Sequence, residues 1–426
     1  MKIFLDMVGC RLNQSELENY ARQFRLAGHS LTSDAASADL VVINTCTVTS
    51  AAAADSRQMV RRAGCHGAGQ VVVTGCWATL NGSEAAALPG VIQVIGNNQK
   101  DELVPLVLNL PGDDLIHLPI QREPIPGSRM RTRSFIKVQD GCDNHCTYCI
   151  TRLARGASKS RTMPEVLNDI RSALEGGSQE IILTGVHLGS WGYDFSPSSH
   201  LSILVSTILA ETTAPRLRLS SLEPWDVPPG FFELWQNPHL CRHLHLPLQS
   251  GCEATLQRMG RRITARSFGE LVDQARAAIP GIAITTDIIT GFPGETEAEF
   301  EESLEFVRRM SFGNGHVFTY SAWPNTAAAR LPDQVPHHLA KERNARMRAV
   351  FHHSSVEFLH TQRGHELEVL WEKASPSAGG QWAVSGLSDN YARVSATAPC
   401  NCHNQVMRVR ITGLSADGLV GELVQD

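Results

Sequence analysis

The chain has 426 residues, 42% hydrophobic and 19% charged, with a formal net charge of −5. That length allows two to four domains, each with its own core, and the composition is that of an ordinary soluble protein. No apolar run approaches the ~20 residues of a membrane span, an acid at Asp6 comes too early for a signal peptide, and the bulk charge does not advertise nucleic-acid binding.

Eleven cysteines, an odd number, are scattered through the chain. In a protein this large they point to reduced thiols and metal ligation in a cytoplasm, not to a disulfide framework.

Residues 1 to about 100 alternate strand and helix. Strands are expected at 2–8, 40–43, 70–73 and 91–95, and helices at 15–27 and 51–63. Continuous β-branched runs between helices imply a parallel sheet covered on both faces, a Rossmann-like three-layer domain over 1–105. Three of its strands run out at Gly9-Cys10, Asn44-Thr45-Cys46 and Thr74-Gly75-Cys76. Each cysteine alone reads as a common buried residue. Together, Cys10, Cys46 and Cys76 would project from the carboxyl edge of one sheet, where open α/β sheets bind ligands. They are expected to hold an iron–sulfur cluster with one iron left open.

Five prolines between Leu103 and Ser128 mark a linker, set at 106–128. A central domain follows over 129–363. Near its start, Cys142, Cys146 and Cys149 form a C-x3-C-x2-C run with Tyr148 before the third. Three thiolates can grip one face of a [4Fe-4S] cluster and leave the fourth iron for a ligand. A structural zinc knot is the plainer alternative, but it wants a fourth ligand in paired C-x2-C spacing, which is absent.

From 134 to about 325, strand, turn and helix repeat six times, as in a partial TIM-type barrel with its chemistry at the strands' carboxyl ends. Strands are expected at 135–138, 180–184, 216–220, 243–246, 282–289 and 316–320. Thr184, Gly185, Glu223, Gln249 and Asp287 fall at those ends, where a cofactor's ribose and amino groups would be held. Singly, each is an ordinary loop or cap residue; their arrangement around one barrel mouth is the argument.

Between Arg122 and Arg161 lie nine Lys or Arg residues against three acids. Charge runs are usually solvated faces, but this one flanks the three-cysteine run. Arg131, Arg133, Arg152, Arg155 and Arg161 are therefore candidate phosphate contacts. Residues 337 to about 364 read as a long polar helix spanning between domains. Five short strands over 364–426 suggest a small closed β-barrel, a frequent nucleic-acid-binding shape. Cys400 and Cys402 in its loop read as incidental.

The whole chain resembles the radical S-adenosylmethionine (SAM) methylthiotransferases, with an N-terminal three-cysteine domain, a radical SAM barrel and a C-terminal TRAM barrel. The segments Phe135–Cys142, Leu183–Gly189 and His245–Gly251, with Arg155-Gly156, are most similar to the branch acting on N6-threonylcarbamoyladenosine in tRNA. Other branches act on isopentenyladenosine or on a ribosomal-protein aspartate. Thr151-Arg152-Leu153, Trp323-Pro324 and Cys252 depart from the usual pattern.

The resemblance implies two [4Fe-4S] clusters, one on Cys10, Cys46 and Cys76 and one on Cys142, Cys146 and Cys149. It implies SAM against Tyr148, with one SAM methylating a cluster-bound sulfur and a second yielding the radical that opens carbon 2 of the base. Implied partners are a tRNA anticodon stem-loop, a low-potential electron donor such as flavodoxin or ferredoxin, and a sulfur source. Two rivals are a cobalamin-dependent radical SAM enzyme and a non-enzymatic iron–sulfur RNA-binding or redox-sensing protein. The first wants a histidine ligand after the first strand, where Gly9-Cys10-Arg11-Leu12-Asn13 offers none.

Overall fold

The computed structural model describes residues 1–65, 70–110 and 132–424. The chain forms two compact units. Unit 1 comprises Met1–Asn144, Cys149–Gly177 and Leu183–Ser199; unit 2 comprises His145–Tyr148, Ser178–Ile182 and His200–Asp426.

Unit 1 begins with strands β1 (Lys2–Met7), β2 (Ser30–Leu31), β3 (Leu40–Thr45), β4 (Val71–Gly75) and β5 (Val91–Ile95) in the order β2-β1-β3-β4-β5. The neighbouring strands run parallel. Helices α1 (Arg11–Leu26), α2 (Ser50–Cys65), α3 (Cys76–Leu80) and α4 (Gly82–Ala86) connect them. β3 and β4 are buried at every position, as their unbroken apolar runs require. Ile3, Leu5, Tyr20, Phe24, Leu40 and Val42 anchor the core.

Leu103–Leu108, expected to open the linker, instead forms a short helix, α5, which puts Leu103 and Val104 into that core. Pro105 is tolerated because a first-turn residue has no intrahelical acceptor for the N–H that proline lacks. Most of the expected linker lies outside the described residues. Unit 1 continues with β6 (Arg133–Lys137), the short antiparallel pair β7 (Gln139–Asp140) and β8 (Lys159–Ser160), α6 (Thr151–Arg155) and α7 (Met163–Glu175). α1 packs on β6, and α3 on α6.

β9 (Glu180–Thr184) divides between the units. Unit 2 then carries α8 (Leu201–Glu211), β10 (Arg216–Leu219), β11 (His243–His245), α9 (Glu253–Arg258), α10 (Ala265–Ala278), β12 (Ala283–Thr290), α11 (Glu297–Met310) and β13 (Asn314–Thr319). β11, β12 and β13 pair in parallel, and β10 joins β11 through the bridges Leu217–Leu240 and Ser221–His245. Strand–helix alternation follows the expected pattern, with ends shifted by a residue or two. The six-residue α9 was not expected.

The long helix α12 (His337–Thr361) falls on the expected helical stretch. It does not stand free: Phe351 packs on Gly315 of β13, where any side chain would collide with its ring. Five strands then close a barrel in the order β14-β15-β16-β18-β17: β14 (Glu366–Pro376), β15 (Trp382–Ser388), β16 (Arg393–Ala398), β17 (Val406–Ser415) and β18 (Gly418–Leu423). Trp371, Val394, Val409 and Leu419 fill it. Tyr391 sits in a left-handed turn at φ 69° and stacks on His243 at 4.6 Å between ring centroids.

The α/β class, the Rossmann-like N-terminal sheet and the closed terminal barrel are thus as the sequence implied.

Candidate iron–sulfur and cofactor site

Three adjacent parallel strands of unit 1 end in cysteines. Met7 pairs with Asn44 and Thr45 with Gly75. Cys10 caps the start of α1, Cys46 follows β3, and Cys76 opens α3. All three lie at the carboxyl edge.

The backbone is shaped around the sulfurs. Gly9 has φ 118°, and a Cβ there would sit 2.6 Å from Cys46 Cβ and 2.8 Å from its Sγ, so only glycine fits. Ser56 Oγ grips Cys46 at both its N–H and its carbonyl, each at 2.9 Å. Burial pushes the Cys46 thiol up to about 11, Cys10 and Cys76 adding to the rise. A thiol so buried ionises readily only with a metal to hold it.

Beneath the trio lies a charged network. Arg155 Nε donates to Cys76 Sγ at 3.2 Å, Nη2 to Asn13 Oδ1 at 2.9 Å, and Nη1 to Glu16 Oε1 at 3.0 Å and Asp140 Oδ1 at 2.9 Å. Asn13 Oδ1 also accepts from the Cys10 thiol at 3.7 Å, and Asn97 Nδ2 donates to Cys76 Sγ at 3.6 Å. Lys100 reaches Glu16 at 2.7 Å and also pairs with Asp140. Burial alone would push the Glu16 carboxyl up, but Lys100, Arg155 and Lys137 outweigh it and hold the group at about 2. The same cations hold Asp140 well below the usual carboxylate range against its own burial.

Arg155 was expected to meet phosphate. That expectation is corrected: its guanidinium is 2% exposed and wholly engaged inside unit 1. Arg161 likewise bonds Asp169 at 2.7 Å and the Lys137 carbonyl at 3.0 Å. Arg133 and Arg152 are partly exposed, and Arg131 lies outside the described residues.

The C-x3-C-x2-C segment straddles the two units, with Cys142 and Cys149 in the first and Cys146 in the second. In unit 1 the Cys142 N–H donates to the Gly156 carbonyl at 3.1 Å, and Cys142 Sγ accepts from the Asn144 N–H at 3.4 Å. Gln139 organises this loop. Its Nε2 donates to the carbonyls of Asp140 and Gly141, and its Oε1 accepts from the His187 N–H at 2.8 Å. Gly185 is where Gln139 fits, since a Cβ there would lie 2.9 Å from that Oε1. Thr184 ends β9, its carbonyl accepting from the Val138 N–H.

In unit 2, Arg261 Nη1 points at Cys146 Sγ from 3.8 Å and at Glu223 Oε1 from 3.2 Å, and its face covers the Trp225 ring. Both cysteine trios thus have a buried arginine nearby, whose charge would favour ionised thiols. Tyr148 meets Phe292 edge-on at 6.4 Å. Gln249 holds φ 79° and pairs with β12 through Asp287 and Ile289.

Asp287, expected to reach a ribose, differs. His245 Nε2 lies 3.2 Å from its Oδ2 and His316 Nδ1 lies 3.1 Å from its Oδ1, so both oxygens are engaged within unit 2. Glu223 is likewise paired with Arg261.

Asn13, Glu16, Asn97, Lys100 and Arg261 escaped the sequence reading. One signal for the first two was available: Asn13 and Glu16 share the buried face of α1 with Leu17, Tyr20 and Phe24, and a polar residue on an apolar stripe needs a partner.

Residues 136–307 match the radical SAM superfamily, and residues 2–96 match a family described as uncharacterized protein family UPF0004. The threonylcarbamoyladenosine tRNA methylthiotransferase MtaB of Bacillus subtilis is 33% identical over 415 residues, 95% of this chain and 92% of the relative. The protein of the same name from Thermotoga maritima is 34% identical over 98% of this chain and 95% of its own length. A tRNA-2-methylthio-N(6)-dimethylallyladenosine synthase of Cereibacter sphaeroides is 32% identical over 99% of this chain and 98% of its own length. Among solved structures, the radical SAM methyltransferase TsrM of Kitasatospora setae superimposes with a TM-score of 0.58, covering 90% of this chain and 80% of TsrM at 14% identity. At that identity the likeness speaks to fold alone.

Proposed function

Since the chain belongs to the radical SAM methylthiotransferases, we propose that it acts on tRNA, placing a methylthio group on carbon 2 of N6-threonylcarbamoyladenosine beside the anticodon. It is a transferase that uses a [4Fe-4S] cluster and SAM. Cys142, Cys146 and Cys149 would hold that cluster, and Cys10, Cys46 and Cys76 a second. When bound, these groups supply what no side chain can: a radical that takes hydrogen from an unactivated carbon, and a methylated sulfur to replace it.

The chain's own residues bind, orient and tune. Arg155 and Arg261 each direct N–H groups at a cysteine sulfur of one trio. Gln139, wedged against Gly185, holds the turn that leads into Cys142. Tyr148, in an apolar setting with Met259 and Phe292, would offer SAM an aromatic contact. The target base has to leave its stacked loop to be reached, and Arg133 and Arg152 remain candidate phosphate contacts. The terminal barrel has a shape common among RNA-binding modules. A low-potential electron donor such as flavodoxin or ferredoxin and a sulfur source complete the scheme.

The choice of base rests on one observation. The segments Phe135–Cys142, Leu183–Gly189 and His245–Gly251 resemble the threonylcarbamoyladenosine branch, and relatives so named match over nearly the full chain. Relatives named for dimethylallyladenosine match almost as well, which keeps isopentenyladenosine as the second reading. Mass spectrometry of tRNA nucleosides from cells lacking the protein separates them. Loss of the methylthio mark from threonylcarbamoyladenosine is the expected result; loss from isopentenyladenosine instead would replace this reading with the second.

A further inference from the structure

Outside the cysteine trios, unit 2 contains a compact cluster of side chains that the proposed reaction does not use. Among the described residues, His245, Asp287 and His316 are the one group of three or more His, Cys, Asp or Glu residues whose ligand atoms all lie within 4.8 Å of one another. They come from three consecutive parallel strands, β11, β12 and β13, whose register sets Asp287 directly beside His316.

The arrangement has the marks of a metal site. The carboxylate turns one oxygen to each ring, at 3.2 Å from His245 Nε2 and 3.1 Å from His316 Nδ1. Two ligand atoms that each lie about 2.0–2.2 Å from one ion, near right angles or slightly wider, are themselves about 3.0–3.5 Å apart. The observed separations fall in that range. His245 is oriented from behind, its other nitrogen, Nδ1, lying 2.9 Å from Thr285 Oγ1. Metal-binding histidines are usually held by such a partner on the far nitrogen, which fixes the ring and the tautomer. The cluster also has an entrance: His245 and Asp287 are largely buried, with side chains 10% and 21% exposed, whereas His316 is 66% exposed.

We propose that His245, Asp287 and His316 form a binding site for a divalent first-row cation, separate from the two cysteine trios. Two imidazole nitrogens and a carboxylate suit Mn2+, Fe2+ or Zn2+. Three side chains leave coordination positions for water on the His316 side. The same contacts would serve as a hydrogen-bonded ladder without metal, so the test has to tell the two apart.

Mn2+ is the probe of choice because hard cations avoid thiolates, so the cluster cysteines compete poorly for it. Full-length reconstituted protein with oxidised, EPR-silent clusters is titrated with Mn2+, and the six-line EPR signal of free Mn2+ is followed. The wild-type protein should take up one Mn2+ per chain. His316→Ala, at the most exposed of the three positions, should weaken uptake by about tenfold or more. Thr285→Val, which removes the hydroxyl that meets both His245 Nδ1 and His243 Nε2, should weaken it by about 10–100-fold. No uptake by the wild type at millimolar Mn2+, or identical isotherms for the wild type and His316→Ala, would overturn the site and leave the ladder.

Discussion

Arg155 Nε donates to Cys76 Sγ at 3.2 Å, while Nη1 of the same guanidinium holds Asp140, two residues before Cys142. The Asp140 carboxylate in turn accepts from the Gly141 N–H at 2.8 Å. Within unit 1, one buried arginine therefore ties the strand-end cysteines to the loop that begins the second trio. Arg155→Gln should leave Glu16 and Asp140 short of a counter-charge and cost about 3–5 kcal/mol of stability. It should also lower iron retention by the first trio more than Arg161→Gln does. Thermal unfolding and iron content, measured on both variants, check this; equal iron loss in the two would mean that Arg155 is a general stabiliser only.

Changing Cys142, Cys146 and Cys149 together to Ala should abolish formation of 5′-deoxyadenosine from SAM while leaving a second cluster, visible in iron content and by EPR. A triple variant that binds no iron would remove the assignment of Cys10, Cys46 and Cys76.

Acid should act on unit 1 through Glu16. Its carboxyl is held at about 2 in the folded chain, against 4.5 ordinarily. The depressed value means that stability is fully present above about pH 4.5 and is lost as pH falls toward 2, by about 3 kcal/mol in all. Glu16→Gln should lower stability at neutral pH and flatten the dependence across that window. Denaturant unfolding at about pH 6 and about pH 3 reads both effects; an unchanged slope in the variant would put the acid sensitivity elsewhere.

The terminal barrel is more deeply committed to unit 2 than a detachable module would be. Arg216 and Arg218, both buried, pair with Glu180 and also donate to the carbonyls of Leu387, Ser388 and Asp389. Truncation near Gly364 would strip those donors of their acceptors, so loss of tRNA binding in such a fragment would mix recognition with folding. Arg218→Met should cost about 3 kcal/mol, since it leaves Glu180 with Arg216 alone and takes a donor from the Ser388 and Asp389 carbonyls, seen as a lower unfolding midpoint in urea. Neutralising Arg408 and Arg410, exposed on β17 and paired with Glu366, should instead weaken tRNA binding, measured by filter binding, with little change of midpoint. A shift of the midpoint there would assign β17 a structural role.

Much of this was written locally in the chain. Runs such as Leu40–Ile43 and Val71–Val73 can only be buried strands, and a cysteine one to three residues beyond a parallel strand has to lie at the sheet's carboxyl edge. The second trio is local too, three thiols within eight residues. What the chain order does not encode is which charges become neighbours. Glu16, Lys100, Asp140 and Arg155 are far apart in sequence and meet only because α1 packs on β6 and α3 on α6. Burial obliges each of them to find an opposite charge, but tertiary packing chose the partner. That choice turned Arg155 from an apparent phosphate contact into the buried partner of Cys76, and set Asp287 between two histidines.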